Sequence, residues 1–220
     1  MDNTSQILRE LQQTGAIITE RHFVYTSGHH GTTYINLRRI AHRSRWMSQI
    51  ARMLSQQLAP YRPEVIIGPE TLGRTFAGLI ATWTETEIAV WCDIRETSNG
   101  QKLAVFPEKF DFAPLVAGKR VAVVDDLLNT GLTFQLTTQL VRQHGGKVVV
   151  ACAPVCRTPG IRPEACGAPN LEVLAYTPPM VMYTPEECRL HGPCSTNVPM
   201  TLRPGQGWKW IKSHPGYPTI

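Results

Sequence analysis

The 220-residue sequence lacks any apolar run near the roughly 20 residues that a membrane span requires. Its first 15 residues, MDNTSQILRELQQTG, carry acids and no apolar segment of the kind a secretory signal needs. A cytoplasmic protein without a membrane partner is expected. Charged residues are scarce at 18%, too few for a chain held open by self-repulsion, while 42% apolar residues can build a core. There is no internal repeat and no low-complexity tract. At this length one compact domain is the default. The six cysteines (92, 152, 156, 166, 188 and 194) lack both an export signal and a fold small enough to need staples, so they are expected to be thiols.

Acidic residues are also in short supply: the net charge is +5. The excess is uneven, +4 over residues 1–60, −3 over 61–118, +3 over 119–170 and +1 over 171–220. A basic surface suggests an anionic partner, which could be nucleic acid, a membrane surface or a phosphorylated small molecule. Composition alone does not choose among them.

Hydrophobic periodicity organises the chain. Residues 4–14 predict an amphipathic helix, with Thr4 as cap, Ile7, Leu8 and Leu11 on one face, and Gly15 as terminator. HFVYTSGHHGTTYINL (residues 22–37) reads as a hairpin around a Gly- and His-rich turn. Residues 44–58 predict a second helix. Beyond Pro60 short apolar strands (64–68, 88–92, 120–124, 147–153 and 171–176) alternate with helices (75–83 and 133–144). Residues 95–118 read as a long loop with one short strand near 103–106, and the tail after Pro199 has no readable pattern. Strands of continuous Val and Ile alternating with helices imply βαβ units around a parallel sheet buried on both faces. In such sheets ligands sit beyond the carboxyl ends of the strands. That rule points at residues 68–75, 93–111 and 125–133.

The strongest chemical signal is VAVVDDLLNTGLT, residues 121–133. A buried strand delivers Asp125 and Asp126 at its carboxyl end. Four residues on, Thr130-Gly131-Leu132-Thr133 enters a helix. Gly131 permits a tight turn with the backbone close to a ligand. The first N–H groups of the helix, with the Thr130 and Thr133 hydroxyls, suit a phosphate. The carboxylates suit sugar hydroxyls. A ribose 5-phosphate unit satisfies both halves. Acids and threonines here could also serve only as helix caps, and no Gly-Lys-Ser/Thr supports a Walker loop.

This segment resembles the phosphoribosyl-diphosphate (PRPP) signature of type I phosphoribosyltransferases. Three further segments make the chain most similar to the orotate phosphoribosyltransferase family: the hairpin at 22–37, GPETLGRTFAG at 68–78, and PEECRLHGPCSTNVP at 185–199. The resemblance implies an α/β fold, a Rossmann-like parallel sheet flanked by helices with a small N-terminal hood. It implies a single domain over 1–220, with the hood at about 1–40, the core at about 60–180 and a C-terminal extension at about 180–220. The implied activity is transfer of phosphoribose from PRPP to orotate with release of diphosphate, in a homodimer that exchanges loops between sites. Mg²⁺ would bridge diphosphate and ribose hydroxyls, with no side-chain ligand assigned.

Carried over by position, Asp125 and Asp126 hold the ribose, while Asn129, Thr130, Gly131, Leu132 and Thr133 hold the 5-phosphate. Glu70, Thr71, Leu72 and Gly73 carry the diphosphate, with Arg74 as an added cation. Residues 95–110 would form a lid in which Arg95, Lys102 or Lys109 neutralises the leaving group. Arg157 matches an arginine that grips the orotate carboxylate, and Tyr34 belongs to the base-binding set. A purine-type base, or a PRPP-sensing nucleic-acid-binding regulator without turnover, stands as the alternative.

Other features read as structural. His22, His29 and His30 suggest a metal, but exposed turn histidines are the plainer reading. Cys152-x3-Cys156 and Cys188-x5-Cys194 could bind zinc, yet neither matches the usual paired spacing, so buried thiols are expected. The stretch 36–52, with Arg38, Arg39, Arg43, Arg45 and Arg52 and no acid, reads as a solvated helix face or a dimer surface rather than a nucleic-acid site.

Overall fold

A computed structural model describes residues 3–25, 27–177 and 180–220. Contacts divide the chain into two compact units, residues 1–7 with 41–177, and residues 8–40 with 178–220. Among the described residues no helix is long and apolar enough to cross a membrane.

The chain opens with α1 (Asn3–Gln13), which already includes Thr4, so Thr4 lies within the helix and does not precede it. Gly15, at φ +69°, ends it, and the Gly15 and Ala16 N–H groups return to Gln12 and Leu11. Four two-residue strands follow: β1 (Ile17–Ile18), β2 (Phe23–Val24), β3 (His30–Gly31) and β4 (Tyr34–Ile35). The predicted hairpin is present, since β2 pairs antiparallel with β3.

The first unit carries the large sheet. Its elements are α2 (Ser44–Leu58), β5 (Val65–Pro69), α3 (Leu72–Ala81), β6 (Ile88–Glu96), β7 (Lys102–Val105), α4 (Ala113–Val116), β8 (Arg120–Val124), β9 (Leu127–Leu128), α5 (Leu132–Gln143), β10 (Lys147–Cys156) and β11 (Leu171–Tyr176). The strand order is β11-β10-β8-β5-β6-β7, with β9 beside β10. Every pairing is parallel except β6 with β7. The protein is therefore mixed α/β, with a mostly parallel central sheet and flanking helices.

Alternation along the strands explains why both faces are buried. Val65 and Ile67 of β5 and Val121 and Val123 of β8 share one cluster with Phe134, Leu140 and Val141 of α5. Ile66, Ala122 and Val124 are equally buried and belong to the opposite face. The apolar stripe of α2 (Met47, Ile50, Ala51, Leu54 and Leu58) is buried as its spacing predicts. Arg43, Arg45 and Arg52 stay exposed, as for a solvated helix face, and the Arg52 guanidinium lies over the Trp83 ring.

The short strand expected near 103–106 is present as β7, but the rest of 95–118 is not the long loop expected. β6 runs four residues beyond Cys92, and β7 pairs back on it with Arg95 opposite Leu103 and Glu96 opposite Lys102. The return, 106–112, is held by aromatic packing, with Phe110 and Phe112 each 4.7 Å from the Trp91 ring centre. The alternation in this segment is too short for periodicity to reveal it.

In the second unit β12 (Met182–Tyr183) extends the β2–β3 ribbon, pairing with His30 and Gly31. Next come α6 (Pro185–His191) and α7 (Gly207–Trp210). A full capping box starts α6: Thr184 accepts from the Glu187 N–H, and Glu187 accepts from the Thr184 N–H. The unreadable tail thus has order, and Trp210 packs against His22, His30, His214 and Tyr217.

Candidate active site

The first unit's connectivity reverses at β5. The chain leaves β5 for β6 on one side, then crosses to β8 on the other. At such a switch point the loops after the two adjacent strands diverge and leave a crevice at their carboxyl ends. Those loops are residues 70–71 and 125–131, two of the three segments singled out from sequence.

The first loop is short because α3 starts at Leu72, three residues earlier than the periodicity suggested. Gly68 and Gly73 make the reversal possible. A Cβ on Gly68 would overlap the Gly73 carbonyl, and one on Gly73 would lie 2.9 Å from Val124 O and 3.1 Å from Asp125 Oδ1. The loop is therefore pressed onto the end of β8. Glu70 and Thr71 are exposed and joined by a cis peptide bond, and the Glu70 N–H is bonded to Cys92 O at 3.0 Å. Arg74 is exposed, with its guanidinium stacked over Trp91 at 3.8 Å from the ring centre.

In the second loop Asp125 is buried and Asp126 half-buried. Burial, and secondarily the Asp126 charge, push the Asp125 carboxyl well above the usual carboxylate range. The Asp126 N–H donated to Asp125 Oδ1 at 2.8 Å opposes that rise. Gly131 holds φ +85° as the residue before α5, and a Cβ there would overlap the Ala165 carbonyl. Only glycine satisfies both demands. The α5 start leaves N–H groups without intrahelical acceptors. The Leu132 N–H faces Thr130 Oγ1 at 3.4 Å, and both residues are exposed. Thr133 lies half-buried on the first turn.

Arg157 follows β10, whose last residues pair with β9. Its N–H is bonded to Leu128 O at 3.0 Å, and the Thr158 hydroxyl donates to Asn129 O at 2.7 Å. The pinning of Asn129 by Thr158 had no sequence signal, because it depends on register between β9 and β10. Acid pair, phosphate-type turn, Asn129 and Arg157 thus sit on one connected edge.

The three cations of residues 95–110 differ. Arg95 bridges to Glu108 at 3.3 Å and Asp93 at 3.9 Å, whereas Lys102 and Lys109 are exposed and form no ion pair among the described residues. Tyr34 lies in the second unit, on β4, with its ring stacked on Tyr25. A concavity of about 850 Å³ lies elsewhere, lined by Arg62, Glu64, Trp83 and Arg120 near the amino ends of β5 and β8. Strand polarity, rather than this cavity, locates the site.

A second constellation was missed. His22 and His30 were expected to be exposed turn histidines, but both are fully buried, and their ring nitrogens meet Cys188 and Cys194. Only His29 is partly exposed. None of the six cysteines forms a disulfide; burial pushes the Cys92 thiol up to about 12 and the Cys166 thiol to about 11.

A mostly parallel sheet whose switch-point loops present an acid pair and a helix start defines the class: an α/β protein that takes its ligand at the carboxyl ends of its strands. Residues 36–165 match the family described as phosphoribosyl transferase domain, and the chain belongs to that family. It is a glycosyltransferase-type enzyme. It is 26% identical over 199 residues to the orotate phosphoribosyltransferase of Thermotoga maritima, covering 90% of this chain and 97% of that protein. The fold is similar to a crystal structure of orotate phosphoribosyltransferase from Aeropyrum pernix, with TM-score 0.60, 22% identity and coverage of 77% and 93%. It is also similar to adenine phosphoribosyltransferase from Thermoanaerobacter pseudethanolicus, with TM-score 0.57, 20% identity and coverage of 77% and 99%. The fold alone therefore does not select the base.

Proposed function

We propose that this enzyme moves the 5-phosphoribosyl group of PRPP onto a ring nitrogen of orotate, giving orotidine 5′-monophosphate and diphosphate. The observation that carries the reading is the contact of Gly73, in the first turn of α3, with Asp125, which opens the same loop that ends in the Gly131 turn. The relative named above, matched over nearly its whole length, supports orotate as acceptor.

In this reading the α5 N–H groups and the Thr130 and Thr133 hydroxyls grip the 5-phosphate. Asp126, with Asp125 behind it, accepts from the ribose hydroxyls and steadies the positive charge that grows on the sugar as the bond to diphosphate lengthens. The backbone of residues 70–73 receives the diphosphate. Arg157 takes the orotate carboxylate through two parallel N–H donors. The β6–β7 hairpin brings Lys102 over the departing group and excludes water that would otherwise hydrolyse the sugar.

The donors at this edge are all oxygens, the chemistry a hard cation takes. Mg²⁺, when bound, supplies charge neutralisation to the diphosphate, and Asp125 and Asp126 would hold it indirectly through ribose hydroxyls and water. A homodimer, in which the hairpin serves a neighbouring site, belongs to the same proposal and rests on the family resemblance.

The test offers purified protein PRPP and Mg²⁺ with orotate, uracil, adenine, guanine or hypoxanthine, and follows diphosphate release. Release with orotate alone is expected. Release only with a purine would replace the acceptor, and no release with any base would overturn the reading.

A further inference from the structure

The second unit holds a cluster that phosphoribosyl transfer does not use. His22 Nε2 lies 2.8 Å from His30 Nδ1. Cys188 Sγ is 3.7 Å from His22 Nε2, and Cys194 Sγ is 3.7 Å from His22 Nε2 and 3.5 Å from His30 Nδ1. All four ligand atoms lie within 4.8 Å of one another, and three of the four residues are fully buried.

We propose that His22, His30, Cys188 and Cys194 form a structural Zn²⁺ site with two nitrogen and two sulfur ligands. A tetrahedral ion with Zn–S near 2.3 Å and Zn–N near 2.0–2.1 Å separates its ligand atoms by about 3.3–3.8 Å. These three sulfur–nitrogen distances already fall in that range. The two imidazoles need to part by about half an ångström. Soft sulfur with imidazole in a four-ligand set selects zinc over the hard cations.

The surroundings orient the ligands. His22 Nδ1 is 3.1 Å from Val198 O, a pure acceptor, so Nδ1 carries the proton and Nε2 presents a lone pair to the cluster. The Cys194 N–H donates to Cys188 Sγ at 3.3 Å and holds that sulfur in place beside the imidazoles. Gly192 lets the chain wrap this sulfur, since a Cβ there would lie 2.8 Å from Cys188 Cα and 3.0 Å from its Sγ. Trp210 and Tyr217 stand edge-on to the imidazoles and wall them in. Two thiolates and two neutral imidazoles cancel the charge of Zn²⁺, and two thiol protons leave to solvent.

The site has a structural reason. The second unit joins two stretches far apart in sequence, and its paired strands are two residues each. An ion bridging the β2–β3 ribbon to α6 closes a very long loop, which is where a clip contributes most. Four protein ligands leave no open position for catalysis.

The full chain, purified under reducing conditions, is expected to carry one Zn²⁺ per chain by elemental mass spectrometry. Its melting temperature should fall on chelation and recover with Zn²⁺ alone. Co²⁺ added to the chelated protein should give tetrahedral visible bands with thiolate charge transfer. Cys188→Ser and Cys194→Ser should lose the metal, whereas the neighbouring His29→Gln should keep it. If those cysteine variants fail to fold, the cobalt spectrum of the unaltered chain decides. Absence of stoichiometric metal with no uptake of Zn²⁺ or Co²⁺, metal retained by the folded cysteine variants, or a Cys188–Cys194 disulfide in the purified protein would each overturn the assignment.

Discussion

A Cβ atom on Gly73 would lie 3.1 Å from Asp125 Oδ1, so the first turn of α3 and the end of β8 touch with no room for a methyl group. Gly73→Ala must therefore push either Pro69 and the loop after β5 or the acid pair out of place. We expect a loss of about 1–3 kcal/mol in stability, the usual cost of overpacking. A drop of at least tenfold in kcat/KM for PRPP should accompany it. Urea unfolding and steady-state kinetics check both, and a Gly73→Ala enzyme with unchanged kcat/KM would separate this contact from the chemistry.

Asp125 ties function to stability. Its folded carboxyl titrates above its unfolded value, mainly because burial disfavours the charge. The contribution to stability is then fully present below the ordinary aspartate value near 4, and it is lost as pH rises through the raised folded value. Asp125→Asn removes the charge while keeping the shape. Relative to the unaltered protein, this variant should gain stability as pH rises above the ordinary aspartate value, read as a Tm difference that grows from acidic to neutral pH. Asp126→Asn should instead cost about 100-fold in kcat/KM, since it removes an acceptor aimed at developing charge. Equal melting temperatures for Asp125→Asn and the unaltered protein at every pH would refute the burial cost.

At Gly131 the backbone needs φ +85°, and the Ala165 carbonyl occupies the space of a side chain. Gly131→Ala should displace the α5 start, where the 5-phosphate is proposed to bind. The expected result is at least a tenfold weaker Kd for PRPP by calorimetry, with about 2 kcal/mol lost in stability. Gly216, also at positive φ but with open space around it, serves as control: Gly216→Ala should leave PRPP binding intact.

If the β6–β7 hairpin closes over the site as proposed, its cations should separate kinetically. Arg95 already meets Glu108 and Asp93, while Lys102, opposite Glu96 on the hairpin, forms no ion pair among the described residues. Lys102→Ala should lower kcat by about 100-fold while leaving KM for orotate nearly unchanged. Arg95→Ala should cost less than tenfold. The reverse ranking would move the essential cation to Arg95.

Much of this protein was legible in its residues because the relevant signals are local. Continuous Val and Ile runs marked β5, β8 and β10, and the α2 stripe was readable at helical spacing. The run from Val121 to Thr133 carried its own order of strand, acids, turn and helix, which is the order in which the structure presents them. Strand polarity then set where the loops emerge.

Tertiary structure decided what depends on partners distant along the chain. The β6–β7 hairpin needs a specific register, and the Arg74 guanidinium found Trp91 only because α3 starts early. The clearest case is His22 and His30 beside Cys188 and Cys194. Their spacings, x7 and x5, match no familiar ligand pattern, and hydrophobic periodicity says nothing about which turns meet. The pairing of β12 with β3 and the capped start of α6 bring these four side chains to one buried point. Local sequence determines element type through backbone sterics and burial period, but which side chains share a point in space is set by topology, and that is encoded only by the whole chain folding together.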